Sequence, residues 1–170
     1  MKTYIIVLLI ILMLLILNSN QSESDTTTGA TSNYNISPAI VNKVNTFSNI
    51  ISSIAQGRDI PERRIKAHIA VESAGNPDAL GSAGEVGLMQ MKPTALQDVN
   101  QRYLPNAPFK LTDLWEPNNA IAAGTAYLQI LYDQLGSLDR ASKAYQCGAG
   151  NIDTADNIYL NKVLTAEKLF

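Results

Sequence analysis

The chain has 170 residues and a formal net charge of −2, from 13 Lys and Arg against 15 Asp and Glu. That length fits one domain with attachments and is enough to bury a substantial core, while the near balance of charge gives no bulk attraction to nucleic acid or to an anionic membrane surface. One His, one Cys and no His-Glu-x-x-His pattern argue against zinc chemistry and exclude an intramolecular disulfide, so neither a metal nor a cofactor is expected.

In chain order, Tyr4 to Leu17 is an almost unbroken apolar run behind the single basic Lys2. It reads as an N-terminal apolar helix that engages a membrane, over residues 1–18, either as a signal peptide or as an uncleaved anchor. The lone N-terminal charge favours export of the remainder. Residues 19–37 are rich in Ser, Thr, Asn and Gly and read as a flexible tether. A domain is expected over 38–170. Ile40, Val41, Val44, Phe47, Ile51 and Ile54 form an apolar stripe that predicts one helix from Ser37 or Pro38 to Gln56, stopped by Gly57. Further helices are predicted over Pro61 to Ser73, Pro93 to Tyr103, Pro117 to Leu135, Leu138 to Cys147 and roughly Thr154 to Leu169, with Pro105 and Pro108 marking a connection. Arg58, Arg63, Arg64 and Lys66 read as a solvated basic face. Alternating strand patterns are nearly missing, so the fold class is all-α or mostly α.

One carboxylate stands out. Glu72 lies in the last turn of the 61–73 helix, where the helix dipole raises the cost of ionising it. An acid that has to stay protonated near neutral pH, to donate to a leaving oxygen, gains from such a place. A glycine-spaced loop follows, Gly81, Gly84 and Gly87, and then Leu88, Met89 and Gln90 offer an apolar contact, a deformable contact and an amide. That mix suits a sugar ring. His68, one turn before Glu72 on the same face, reads as a structural histidine. Glu85 reads either as a solvated loop residue or as a second carboxylate, and Cys147, among small residues, as packing.

These residues fall into three ordered motifs between about 61 and 151: Glu72-Ser73 with Gly87-Leu88-Met89-Gln90 and Pro93-Thr94-Ala95; Glu116-Pro117 with Gly124, Tyr127 and Leu128; and Ala144-Tyr145-Gln146-Cys147-Gly148-Ala149-Gly150. In them the chain resembles the soluble, goose-lysozyme-like lytic transglycosylases, which cleave the glycan strands of bacterial peptidoglycan. The resemblance implies a lysozyme-like helical domain and catalysis by Glu72, with Tyr145 holding or polarising its side of the cleft. It also implies substrate contacts from Ser82, Gly87, Met89, Gln90 and Gln146. The bond cleaved would be the MurNAc-GlcNAc β-1,4 linkage, leaving 1,6-anhydro ends, with one carboxylate serving in turn as acid and base. The chain departs from the family pattern at Gly81, where a loop Ser is usual, at Ala120, where an Asn is usual, and at Gln146, which replaces an Asn. A hydrolytic muramidase on the same fold and a non-catalytic glycan-binding assembly module are the alternatives. Implied partners are peptidoglycan strands, the membrane through the N-terminal segment, and a wall-spanning assembly; nucleic acid is not among them. The domain would be periplasmic or membrane-anchored facing the wall, or virion-associated if phage-encoded.

Overall fold

The computed structural model describes residues 34–170, which form one compact unit. The expected apolar helix over 1–18 and most of the tether lie outside the described residues. Packing begins upstream of residue 38: Ile36 is only 5% exposed and belongs to the core, and Lys162 sits over the Tyr34 ring.

Seven α-helices follow among the described residues: α1 Pro38–Asn45, α2 Ser48–Ala55, α3 Glu62–Ser73, α4 Pro93–Tyr103, α5 Pro117–Leu135, α6 Leu138–Cys147 and α7 Ile158–Glu167. Short 3₁₀ turns at Leu111–Trp115 and Ala149–Asn151 complete the order. Pro at the first helical position starts α1, α4 and α5, where its missing N–H costs nothing. Ser37 and Ser137 side chains accept from Ile40 N and Arg140 N to open α1 and α6.

Two expected boundaries differ. The helix predicted from 38 to 56 breaks at Thr46 and Phe47, because the Thr46 hydroxyl donates to the Lys43 carbonyl at 2.6 Å and the local amides turn back to three-residue partners. A threonine hydroxyl competing for backbone in this way is a local alternative to continued helix. The last helix begins at Ile158 rather than near Thr154, since Asp156 Oδ1 accepts from Ile158 N at 2.9 Å and holds a turn just ahead of it.

The long helix α5 is the centre of the packing, with α2, α4 and α6 against it, while α3 lies against α7. A third expectation fails at α3. Arg64 is not on a solvated face: it is 5% exposed and binds Asp139 at 2.9 Å and Glu167 at 2.7 Å, with Nη1 donating to Ser142 Oγ at 2.9 Å. One side chain thereby ties α3 to α6 and α7.

Candidate active site

The end of α3 carries Glu72 and Ser73 into the site. Ala74 at φ 52° and Gly75 at φ 72° close the helix, their amides returning to Ala70 O and Ile69 O. Ser73 Oγ donates to Leu88 O at 2.8 Å, which fastens the loop of 76–92 to the helix end beside the acid. Within that loop Gln90, at φ 45°, donates through its amide to Ala79 O and Gly87 O, both at 2.9 Å. Gly87 is buried at φ 77°, and a Cβ there would stand 2.2 Å from Leu114 O, so only glycine permits this approach.

These elements border a cleft of about 450 Å³ lined by Glu72, Gly81, Ser82, Glu85, Gln90, Lys92, Tyr127, Tyr145 and Gln146, among others. Ser82 and Gln146 are exposed on it, and Gln90 lines it while its Nε2 holds the loop. Gly87 and Met89 are placed behind the wall instead. Met89 is fully buried against Gly124, where an added Cβ would stand 2.4 Å from its sulfur. The glycine at 81, where the family pattern has Ser, also has a spatial cause: a Cβ there would come within 2.3 Å of Glu85 Oε2 and 2.8 Å of Gln90 Oε1. The Glu85 carboxylate fills that space, accepting from Ala83 N at 2.9 Å with Lys92 Nζ 4.0 Å away.

Glu72 is a carboxyl taken largely out of water. Burial, opposed by the Tyr159 hydroxyl and Lys92 and aided by Glu85, pushes it up to about 7. An acid poised there is half protonated at neutral pH, as a proton donor to a leaving oxygen has to be. Its direct partner was not foreseen. Tyr159 O–H, from α7, donates to Glu72 Oε1. Among the described residues Tyr145 makes no hydrogen bond to the acid: its hydroxyl donates to Met89 O at 2.8 Å with Met91 Sδ at 3.2 Å, and its ring meets His68 and Tyr127 edge-on. Tyr145 therefore braces the wall on which the acid's loop rests. Tyr159 sat in a stretch read only as a terminal helix, and the one available signal was the pair His68 and Glu72 on one face of α3 needing a polar partner. Among the described residues no three His, Cys, Asp or Glu side chains gather as a metal set.

A helical domain whose cleft holds one part-buried carboxyl at a helix end beside a glycine-rich loop has the architecture of the lysozyme-like fold. The transglycosylase SLT domain model matches residues 49–162, and the chain belongs to that family. The soluble lytic murein transglycosylase of Escherichia coli K12 is 34% identical over 113 residues, 64% of this chain and 17% of the relative. Membrane-bound lytic murein transglycosylase E of Buchnera aphidicola from Acyrthosiphon pisum is 30% identical over 101 residues, 59% of this chain and 46% of that one. The chain thus spans less than half the length of these relatives. Among solved structures, the 70-kDa soluble lytic transglycosylase of E. coli superposes with a TM-score of 0.65 at 25% identity over 72% of this chain and 24% of its own. A complex of the 70-kDa enzyme with bulgecin A gives 0.67 over the same shares.

Proposed function

We propose that the chain is a peptidoglycan lytic transglycosylase that cleaves the MurNAc-GlcNAc β-1,4 bond and leaves 1,6-anhydro-MurNAc ends. The observation that carries this reading is the place of Glu72, at the end of α3 on the cleft wall with the glycine-rich loop fastened beside it, where burial also raises its carboxyl. Protonated, Glu72 gives its proton to the glycosidic oxygen as the bond to the anomeric carbon breaks. The substrate's N-acetyl group assists at that carbon. Glu72, now a carboxylate, takes the proton of the muramic 6-hydroxyl as that oxygen bonds to the anomeric carbon, and the acid is restored without consuming water. Membership in the family and the names of the relatives support the substrate class. Ser82, Gln90 and Gln146, all on the cleft, are proposed as substrate contacts, with Tyr145 as a brace.

The apolar run from Tyr4 to Leu17 supports export with the domain facing the wall, on a signal peptide or an anchor, where remodelling, a wall-spanning assembly or phage passage would each use it. Among the described residues no helix is long and apolar enough to cross a membrane.

The test is digestion of sacculi followed by mass spectrometry. Anhydro ends from the wild type and cleavage reduced by a factor of about 10² or more in Glu72→Gln are expected, since a positioned general acid contributes on this scale. Reducing ends would instead favour hydrolysis with Glu85, which lines the same cleft, as a second carboxylate. Undiminished cleavage by Glu72→Gln would overturn the assignment of the acid.

A further inference from the structure

Behind Glu72 runs a buried row of polar groups that the reaction as described does not use. Tyr159 O–H donates to Glu72 Oε1; His68 Nδ1 lies 3.0 Å from the same Tyr159 oxygen; His68 Nε2 lies 3.1 Å from Ser142 Oγ; and Arg64 Nη1 stands 2.9 Å from that hydroxyl. His68 and Ser142 are completely buried, and Tyr159 nearly so.

Starting from the Arg64 end, one set of directions runs through the whole row. A guanidinium can only donate, so Ser142 Oγ accepts from Arg64. Its own hydrogen is then free for His68 Nε2. A neutral imidazole that accepts at Nε2 donates at Nδ1, so the Tyr159 oxygen accepts there and its hydrogen goes to Glu72. Two features keep the imidazole neutral: burial first, and the nearby Arg64 cation second, which together hold it down at about 3. In this arrangement no donor of the row faces a donor and no acceptor faces an acceptor; Arg64 Nη1 also donates to Leu138 O at 3.4 Å.

We propose that His68 is a positioning residue for Glu72, acting through Tyr159 in a one-way hydrogen-bond chain from Arg64 that occupies Oε1 and leaves the acid's proton to Oε2. Oε2 takes no hydrogen bond among the described residues. The proposal rests on Glu72 as the acid of the proposed reaction. A carboxylic acid that exchanged its proton between the two oxygens would spend part of its time with the hydrogen turned to Tyr159 and away from the substrate. A hydrogen arriving from Tyr159 blocks that orientation. By the same route, donation from His68 strengthens the Tyr159 hydroxyl as a donor to the ionised form. Other ionisable groups face Glu72 as well: Tyr34 ahead of α1, Glu85 and Lys92 from the loop, and Tyr145 from α6. They stay in place when His68 is changed, so a change at His68 reads the row alone.

The chain's single His makes a direct test available. In ¹⁵N-labelled full-length protein, ring nitrogen shifts are expected to show Nδ1 protonated and Nε2 bare, the less favoured tautomer of a free imidazole side chain, without titration from about pH 5 to pH 8. A ring protonated at Nε2 alone, or one that becomes cationic in that range, would overturn the proposal.

The second measurement is the titration of the Glu72 carboxyl by ¹³C shift, assigned by comparison with Glu72→Gln. His68→Leu should raise the midpoint, and with it the alkaline limb of glycan cleavage, by roughly half a pH unit or more. His68→Asn, which sets an amide N–H near the place of Nδ1, should restore most of the wild-type midpoint. If both variants lower the melting temperature yet leave the midpoint where it was, His68 is only a packing residue. Failure of the proposed reaction is distinguishable, because it removes cleavage in the wild type while tautomer and titration can still be read.

Discussion

Glu72 is held between neighbours that move its proton affinity in opposite directions, and two of them are exposed enough to be changed without disturbing the core. Lys92 stabilises the carboxylate and Glu85 disfavours it, both secondary to burial. Cleavage that needs the protonated acid falls as pH rises through about 7. Lys92→Met should therefore shift the alkaline limb upward and Glu85→Gln should shift it downward, each by roughly a few tenths of a pH unit, because cleft water screens the pair. Both limbs moving the same way would mean that loop rearrangement, not charge, governs the acid. At this scale the unusual place of Glu72 was legible in the sequence, since a carboxylate in the last turn of an apolar helix has an electrostatic oddity that position alone exposes. Tyr159 was not, because its partner lies 87 residues away and a tyrosine among apolar helix residues looks the same whether it faces core or acid. Met89 was misplaced for a related reason: its suitability as a sugar contact and as a gap-filler are one property, and the space beside Gly124 decided between them.

Helix α5 supports the loop that supports the acid. Met89 packs over Gly124, and the Met89 carbonyl takes the Tyr145 hydroxyl, so the wall of the cleft is one step from the centre of α5. Gly124→Ala forces Met89 to move and should cost about 1–3 kcal/mol as an overpacked contact, with a fall in cleavage larger than the loss of folded protein explains. The next residue gives a contrast on the same helix. Among the described residues Thr125 Oγ1 is buried without a hydrogen-bond partner. Thr125→Val keeps the shape and removes the unsatisfied hydroxyl, so it should raise stability by roughly 1 kcal/mol while leaving cleavage unchanged. Urea unfolding of the two variants checks both signs, and a destabilised Thr125→Val would show that the hydroxyl has a partner after all. Element positions for α3, α4 and α5 followed from a Pro at or just before the start, and those of α5 and α6 from a Gly just past the end, signals that act locally. The break at Thr46 and the late start at Ile158 came from single side-chain hydrogen bonds, which compete with helix by small margins that periodicity does not weigh.

For the whole molecule, two buried groups make stability depend on pH with opposite signs. His68 is held down at about 3 from its ordinary 6.5, so its contribution is present above about 6.5 and is lost as pH falls toward 3. Glu72 is raised from 4.5 to about 7, so the native state binds more protons than the unfolded chain between those values. Its contribution is complete below about 4.5 and is lost as pH rises through 7. Between 4.5 and 6.5 the two slopes oppose one another and the wild type should be nearly flat in this range. Glu72→Gln removes one slope and keeps the other. Its stability relative to wild type should grow with pH from about 4.5 to 7, reaching roughly 1–3 kcal/mol with the lower figure favoured by the open cleft, and then level off. Thermal unfolding of both proteins in buffers across that range reads the difference directly. A gap in melting temperature that stays constant with pH would mean that Glu72 titrates alike in the native and unfolded chains. A gap that widens and then levels ties the loss of cleavage and the gain of stability to the same buried carboxyl.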